Sequence, residues 1–348
     1  MSNYTTSQIY PRDTRMNQKL DTLLAAEGIR RDANLDYTCG IFDDEYTLLA
    51  TGSCFANTLR CLVVDSAHQG EGLMNEVVTH LVQIQISRGN AHLFLYTKCD
   101  SAKFFSDLGF YKIVEVNHQL VFMENRRSGF ADYLNLLRPF KKESPRIAAL
   151  VMNANPFSLG HLYLVEKAAA ENDLLHLFIV SEDSSLVPFA VRKKLIMAGT
   201  AHIKNICYHD SGPYIISNAT FPSYFQKDDD AVVEGHALLD LTIFKEIAYT
   251  LGISCRYVGE EPNSQVTNTY NQIMKTRLPE FGITCVEVPR KTYDADVISA
   301  SSIRQAIKEN NFGLLKELVP ETTLQYFQSS EALPVIEKIR QTENVRHH

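Results

Sequence analysis

The chain has 348 residues, about twice the length of a typical domain, so we expect two domains. Its formal net charge is -7, whereas proteins that bind the phosphates of nucleic acid present a basic surface. We therefore expect no nucleic-acid partner. The start has no apolar signal core, and no segment approaches the roughly 20 apolar residues of a membrane span, so we expect a cytoplasmic protein with no membrane partner.

The first part of the chain predicts an α+β domain with antiparallel strands. Apolar residues recur at helical spacing over residues 14–27 and again, more strongly, over residues 72–88. Short β-branched and apolar runs predict strands at 38–43, 46–55, 59–65, 92–97, 111–116 and 119–123. We assign residues 1–128 to this domain.

Residues 129–145 change in composition, and we interpret them as a linker that contains one short helix, near 130–137. From residue 146 to 340 the pattern alternates between continuous apolar strands and helices, which predicts a Rossmann-like parallel sheet buried on both faces. The strands are expected at 146–152, 174–180, 203–209, 254–259 and 283–288, and the helices at 160–172, 188–200, 231–251 and 265–277. The fold class is therefore α/β.

The turn after the first of these strands, residues 153–161, has the composition of an anion-binding site. Ligands of open parallel sheets bind beyond the carboxyl ends of the strands. Gly160 lets the backbone approach a ligand, the following helix directs its N–H groups toward it, and His161 can donate to a phosphate oxygen. The alternative is a plain capped helix with His161 at the surface. Further candidates for contact are Asn153, Asn155 and Ser158.

A second turn of this kind begins at Ile298. Ser299, Ser301 and Ser302 lie at a strand-to-helix turn and Arg304 follows, so hydroxyls, helix N–H groups and a guanidinium can surround an anion. The alternative is simple N-capping with a solvated arginine. Two such turns, at the first and last strand–helix connections, together favour phosphate binding.

The two turns resemble signatures of the nucleotidylyltransferase superfamily. Residues 158–161 match H/T-x-G-H with Ser in the first position, and residues 298–304 resemble I-S-S-T-x-x-R with Ala300 and Ser301 in place of Ser and Thr. The resemblance implies that ATP binds, that its α-phosphate is attacked and that pyrophosphate leaves. Mg²⁺ is expected with the phosphates.

A glycine-rich loop in the first half, residues 69–74, lies between a predicted strand and a predicted helix. Gln69, Gly70 and Gly72 resemble the Q/R-x-x-G-x-G/A pyrophosphate loop of GNAT acetyltransferases, although Met74 replaces the final small residue. The resemblance implies a GNAT-like domain. No base or acid for amine acetylation stands out, so an ordinary strand–turn–helix remains the alternative for function.

A GNAT-like half followed by a nucleotidylyltransferase half is an uncommon order that resembles the citrate lyase ligase family. The resemblance covers nearly the whole chain and includes a segment around Arg192 and another that contains Gly259 and Glu260. It implies an acid–thiol ligase that makes acetyl-AMP from ATP and acetate. The acetyl group then passes to the thiol of a dephospho-CoA-like prosthetic group on the citrate lyase acyl carrier protein.

The resemblance also implies roles for individual residues. His161 would stabilise the developing charge on the α-phosphate, and Ser158 and Asn153 would contact phosphate or orient acetate. Arg192 is a further phosphate candidate, with a solvated helix position as the equal alternative. The β- and γ-phosphates would be held by Ser301, Ser302 and Arg304, and ATP contacts are also expected from Asn155, Gly160, Gly259, Glu260 and Ile298.

Several alternatives stay open at this stage. The loop of Gln69, Gly70 and Gly72 either binds the carrier's prosthetic arm or is purely structural. The activity is alternatively that of an adenylyltransferase acting on a small phosphate such as phosphopantetheine, of a tRNA acetate ligase, or of a non-catalytic carrier-binding module. The seven cysteines are scattered and form no C-x-x-C pair, so we expect reduced thiols and no protein metal site.

Overall fold

The computed structural model of the chain describes residues 4–32, 34–118, 120–181, 185–215, 229–261, 265–294 and 296–343. The described residues form two compact units, and each is presented by itself. The first contains residues 4–133 and 229–242, and the second contains residues 134–215 and 243–343. None of the helices within the described ranges is long and apolar enough to cross a bilayer.

The first unit is built on a mixed sheet of seven strands in the order β1-β2-β3-β4-β5-β7-β6. All neighbours are antiparallel except β4 and β5, which are parallel. The strands are β1 (Thr5–Gln8), β2 (Tyr37–Phe42), β3 (Leu48–Phe55), β4 (Thr58–Val64), β5 (Phe94–Lys98), β6 (Tyr111–Val116) and β7 (Leu120–Glu124). The helices are α1 (Thr14–Ala26), α2 (Leu73–Ser87), α3 (Cys99–Asp107) and α4 (Gly129–Leu137), of which α4 continues into the second unit.

Helix α2 packs its apolar stripe on this sheet. Leu73, Val77 and Leu81 are almost fully buried and belong to one core cluster with residues of β2 to β5. Gly52 of β3 permits the close approach, because a Cβ there would lie 2.5 Å from Val77 Cγ1. The glycine therefore sets the distance between the helix and the sheet, and so the position of the loop that precedes the helix.

The second unit has five parallel strands in the order β10-β9-β8-β11-β12. They are β8 (Ile147–Met152), β9 (Leu174–Ile179), β10 (Ile206–Asp210), β11 (Cys255–Gly259) and β12 (Thr284–Val288); a separate hairpin has β13 (Thr292–Tyr293) and β14 (Asp296–Val297). The helices are α5 (Leu159–Glu171), α6 (Phe189–Gly199), α7 (Asp229–Leu251), α8 (Gln265–Arg277), α9 (Ala300–Lys308), α10 (Phe312–Leu318), α11 (Glu321–Gln328) and α12 (Leu333–Gln341). Helix α7 begins in the first unit.

The strand order places the switch point of this sheet at β8. The chain moves from β8 to β9 on one side and later returns to pair β11 on the other side. In such sheets a crevice opens beyond the carboxyl ends of the strands on either side of the reversal. The loops after β8, β11 and β12 therefore converge on one edge.

The architecture confirms the predicted α/β class, with a mixed sheet followed by a parallel sheet. All five strands of the parallel sheet were predicted, because their apolar runs are continuous. Strand β1 was not predicted: its Thr5–Gln8 sequence is polar and mostly exposed, and it is held at the sheet edge by pairing with β2.

Candidate functional site

A cavity of about 1240 Å³ lies at the carboxyl edge of the parallel sheet. The loops after β8, β11 and β12 line it, together with the first turns of α5 and α9. Among its lining residues are eight of those predicted from the sequence: Asn153, Asn155, Gly160, His161, Gly259, Ser301, Ser302 and Arg304. The two turns predicted to bind phosphate therefore face the same cavity.

The first turn is fixed by a capping box. Ser158 is the N-cap of α5, and its Oγ accepts a hydrogen bond from His161 N at 3.0 Å. In return, His161 Nδ1 lies 3.1 Å from Ser158 N and 2.8 Å from Ser158 Oγ. The imidazole also stacks on Phe157, with ring centroids 6.0 Å apart. These contacts hold the ring in one orientation at the start of the helix.

The same contacts decide which nitrogen of His161 carries a proton. A backbone N–H can only donate, so Nδ1 accepts from Ser158 N and the proton of the neutral ring lies on Nε2. Burial, with a smaller contribution from the charge of Arg290, lowers the pKa of His161 to about 4. At neutral pH the ring is therefore an uncharged donor through Nε2.

The second turn has a capping box of the same design. Ser299 is the N-cap of α9, and its Oγ accepts from Ser302 N at 3.0 Å. Ser302 Oγ accepts from Ser299 N at 3.2 Å and donates to the Ser299 carbonyl oxygen at 2.8 Å. The Ser302 hydroxyl is therefore engaged within the cap, although the residue lines the cavity.

The two turns also lie directly against each other. A Cβ added at Gly160 would lie 3.2 Å from the carbonyl oxygen of Ile298, which is tighter than most real contacts. Ile298 itself is 2% exposed and packs into the core of this unit. Ile298 therefore anchors the second turn in the core and does not line the cavity. Gly160, which has no Cβ, allows the two backbones to come into contact.

Arg304 joins the two turns. Its side chain is buried, and Nη1 donates to the Asn155 carbonyl oxygen at 2.7 Å while Nη2 lies 3.3 Å from Ser301 Oγ. Burial lowers the pKa of Arg304 to about 10, still well above neutrality, so the cavity wall carries a positive charge. Asn155 is 4% exposed, and its Nδ2 has no hydrogen-bond partner among the described residues.

Arg192 does not line the cavity, and its geometry does not support the predicted phosphate contact. The side chain has no exposed surface, and it donates to three backbone carbonyls: Val187 O at 3.0 Å, Asn153 O at 3.0 Å and Val180 O at 2.7 Å. A guanidinium supplies donors in a fixed planar fork, which suits this task. Arg192 thus fixes the loop after β8 through a hydrogen bond to the backbone of that loop.

Ser158 and Glu260 also lie outside the cavity lining. Ser158 is 1% exposed and its hydroxyl belongs to the cap, so the predicted phosphate or acetate contact is not supported by this geometry. Glu260 is exposed, and its carbonyl oxygen accepts from Arg290 Nε at 2.6 Å. The next residue, Glu261, lines the cavity and pairs with the Arg290 guanidinium.

Arg290 is a cavity residue that the sequence interpretation missed. It lies two residues after β12, at the same carboxyl edge as the other loops. The signal was available, because the end of each predicted parallel strand marks this edge. No familiar motif surrounds it, and its effect on His161 depends on three-dimensional proximity.

The loop of Gln69, Gly70 and Gly72 lines a separate cavity, of about 650 Å³, inside the first unit. Strands β4 and β5 pair at only two positions, Thr58 with Phe94 and Leu59 with Leu95, and the rest of each strand diverges. The cavity lies between the diverging ends and at the start of α2. Gly70 and Gly72 have φ of 87° and 82°, and an added Cβ would meet nothing within 4 Å at either position.

Comparison with known proteins places this geometry in a family. A family described as "Citrate lyase ligase C-terminal domain" matches residues 147–327. The chain is 37% identical over 315 residues to the [Citrate [pro-3S]-lyase] ligase of Haemophilus influenzae, covering 89% of this chain and 94% of that protein. The chain belongs to the citrate lyase ligase family. The family predicted from the order of the two halves is therefore confirmed.

A second relative and two solved structures also match the chain. The chain is 36% identical over 332 residues to the [Citrate [pro-3S]-lyase] ligase of Escherichia coli, covering 93% of this chain and 94% of that protein. Among solved structures, a putative nicotinate-nucleotide adenylyltransferase from Vibrio parahaemolyticus matches with TM-score 0.37 and 19% identity, covering 57% of this chain and 98% of that chain. A GNAT family acetyltransferase from Escherichia coli matches with TM-score 0.28 and 14% identity, covering 37% of this chain and 84% of that chain.

Proposed function

We propose that this member of the citrate lyase ligase family activates acetate with ATP and transfers the acetyl group to a carrier thiol. An acetate oxygen attacks the α-phosphorus of ATP, a P–O bond forms, and the bond to the leaving pyrophosphate breaks. The thiol of a dephospho-CoA-like prosthetic group on the citrate lyase acyl carrier protein then attacks the acetyl carbon. A C–S bond forms, the C–O bond to AMP breaks, and the thiol proton goes to solvent.

The observation that carries this proposal is the convergence of two helix N-termini and a neutral imidazole on one cavity. Helices α5 and α9 start at its wall, each with backbone N–H groups and the positive end of its dipole. The Nε2 proton of His161 supplies a donor that needs no reorganisation when negative charge grows on the α-phosphate. Positioning and charge neutralisation are the main requirements of phosphoryl chemistry.

The residues of the cavity fit a nucleoside triphosphate. Arg290 and Arg304 supply guanidinium donors to the wall, and Asn153 is exposed in it. Asn155 Nδ2 is a buried donor without a described partner. The lining also contains the carboxylates of Glu261, which pairs with Arg290, and of Glu309. Mg²⁺ brought in by the phosphates would keep most of its water ligands and offset phosphate charge.

Pyrophosphate release separates the candidate activities. Full-length protein is incubated with ATP and Mg²⁺, with acetate, with phosphopantetheine or with neither, and then with thiol-bearing carrier protein. We expect release that depends on acetate, followed by a thioester on the carrier. Release driven by phosphopantetheine instead would indicate an adenylyltransferase, and acetyl transfer to tRNA would indicate a tRNA ligase. Absence of turnover with every acceptor would overturn the proposed enzyme activity.

For the first unit, we propose that the cavity between β4 and β5 holds the prosthetic arm of the carrier. The diverging strands do not pair with each other beyond Leu59 and Leu95, so their backbone amides are available to an extended amide-containing chain. The side chains on the walls are largely apolar, which suits the hydrocarbon portion of the arm. Gly70 and Gly72 leave space beside the loop for a diphosphate to approach the backbone.

This second proposal is tested without disturbing the ATP site. The double variant Gly70→Ala and Gly72→Ala places two methyl groups at the loop, and we expect a higher KM for the carrier with an unchanged KM for ATP. Gly89→Ala is the matched control, because Gly89 has φ of 86°, open space around its Cβ and no place in the cavity lining. Equal carrier KM values in the double variant, the control and the wild type would contradict binding at this loop.

A further inference from the structure

Three metal-binding side chains meet on neighbouring strands of the second unit, away from the residues that line the ATP cavity. His176 lies on β9, and Cys207 and His209 lie on β10. Cys207 pairs directly with His176 in the parallel register, and His209 follows two residues later, so all three side chains project from the same face. Their ligand atoms lie within 4.8 Å of one another, the one such group of three in the described part of the chain.

The two histidines already share a contact. His176 Nδ1 lies 2.8 Å from His209 Nε2, so one ring donates its proton to the lone pair of the other. His176 has no exposed surface, and its remaining nitrogen, Nε2, is buried without a partner among the described residues. An orphaned polar atom at this depth is costly in a purely structural core. The histidine pair thus leaves one buried nitrogen, His176 Nε2, without a described partner, and the Cys207 thiol lies beside the pair.

We propose that His176, Cys207 and His209 bind a zinc ion. Two imidazole nitrogens and a thiolate are ligands that Zn²⁺ prefers, and tetrahedral coordination separates such atoms by roughly 3.3–3.6 Å. The ligand atoms lie within 4.8 Å of one another. Small side-chain rotations would bring them to the tetrahedral spacing. Cys207 is half-buried, so a water molecule can reach the fourth position from its side.

The environment of the cluster favours a Zn²⁺ ion that takes the place of the thiol proton of Cys207. Burial lowers the pKa of His176 and of His209 to about 4, so at neutral pH both rings are uncharged and can present a lone pair. The charged groups that face the cluster are Lys142, near Cys207, and Asp210, near His209. Asp210 is itself paired with Lys193. Burial raises the pKa of the Cys207 thiol, so binding forms a Zn–S bond and releases one proton to solvent.

Bound zinc would link the edge strand β10 to its neighbour β9, and aromatic rings cover the ligand His209. Phe140, in the short helical turn Arg138–Phe140 before β8, contacts the His209 ring edge-on with centroids 5.1 Å apart, and Phe178 lies against the same ring. The ion would therefore strengthen the sheet at the strand that has a neighbour on one side only. The site is independent of the proposed acetyl transfer.

Cobalt(II) provides a direct spectroscopic test. Full-length protein is stripped of metal with a chelator and titrated with Co²⁺, then with Zn²⁺ as the competitor. We expect one equivalent of Co²⁺ to give a near-ultraviolet thiolate-to-cobalt band and the visible bands of a tetrahedral site, and Zn²⁺ to abolish both. Zinc should also raise the Tm of the metal-free protein, with apparent affinity increasing with pH as one proton is released.

Cys207→Ser is the decisive variant, because it is nearly isosteric at a half-buried position. It should lose the thiolate band and the zinc-dependent rise in Tm. Cys285→Ser is the matched control: this half-buried thiol lies on β12 of the same sheet and should keep both signals. No band in the wild type, a band that survives in Cys207→Ser, or an equal loss in Cys285→Ser would each overturn the zinc site.

Discussion

The two turns that face the cavity of the second unit contain the same capping box, yet they leave different groups available for chemistry. In both, a serine N-cap accepts from the backbone N–H three residues later, and the side chain of that later residue returns to the N-cap N–H. At the first turn the later residue is His161, and at the second it is Ser302. A hydroxyl has one donor, which Ser302 gives to the Ser299 carbonyl. An imidazole has a second nitrogen, here Nε2, which takes no part in the capping box.

This difference separates a structural cap from a group that can act on substrate. The box at α5 fixes the tautomer of His161 and so directs a permanent donor from Nε2, whereas the box at α9 uses its hydroxyl completely. We infer that the second turn contributes its backbone N–H groups and Arg304, and that the first contributes a side chain. Substitutions at matched positions of the two boxes should therefore have unequal effects on catalysis.

The largest effect is expected from His161→Ala. Alanine leaves Ser158 Oγ to cap the helix through the backbone N–H of residue 161, but it removes the imidazole and with it the Nε2 donor. Loss of one preorganised donor to a developing oxyanion costs roughly 10²–10³ in kcat. Steady-state pyrophosphate release measures this loss, and circular dichroism checks that the fold is kept. A His161→Ala enzyme with wild-type kcat would remove His161 from the mechanism.

The same substitution should change the pH dependence of stability. The folded-state pKa of His161 is about 4, against an ordinary value of 6.5, so the unfolded chain takes up the proton first as the pH falls. The contribution of His161 to stability is therefore complete above about pH 6.5 and is lost between 6.5 and 4. Urea unfolding across this range should show a shallower acid loss in His161→Ala than in the wild type. Identical slopes would argue against a neutral, buried imidazole.

A large effect on stability, with little on ATP binding, is expected from Arg192→Lys. Lysine keeps the charge but cannot reach the three carbonyls of Val180, Val187 and Asn153 with one planar fork. Leaving buried acceptors unsatisfied costs about 1–3 kcal/mol. Thermal unfolding should show the loss, and the KM for ATP should change little at temperatures where the variant is folded. A raised KM with unchanged Tm would restore the phosphate role predicted from the sequence.

Arg192 illustrates how far the sequence carries the interpretation of this site. Continuous apolar runs give the parallel sheet, and two short motifs mark the turns that face the cavity. The motifs do not reveal which polar groups face inward: Arg192 and Ser158 were predicted to contact substrate, and both are buried in hydrogen bonds to the protein. Arg290 and the cluster around His176 were missed, because each depends on proximity across separate strands.

An intermediate effect is expected where the two turns touch. In Gly160→Ala the new methyl group would lie 3.2 Å from the Ile298 carbonyl oxygen, so the turns must separate by a few tenths of an ångström. Misplacement of this kind should raise the KM for ATP or lower kcat by roughly tenfold. Stability should be kept, because alanine is the better helix former. Gly313→Ala in α10 is the control, since its Cβ would meet Asn311 Oδ1 at an ordinary 3.5 Å. Equal kinetics in both variants would mean that the close approach is irrelevant to function.

The smallest effect is expected from Ser302→Ala, which tests the other half of the comparison. The substitution removes the hydroxyl that returns to Ser299 N, while Ser299 Oγ still caps the helix through the backbone N–H of residue 302. Loss of one member of a capping box should cost about 0.5–1 kcal/mol of stability, measured by urea unfolding. The KM for ATP should stay at the wild-type value, because that hydroxyl already has its partners within the turn. A several-fold higher KM would show that the Ser302 hydroxyl leaves the cap to bind phosphate, and the two boxes would then be equivalent in function as well as in design.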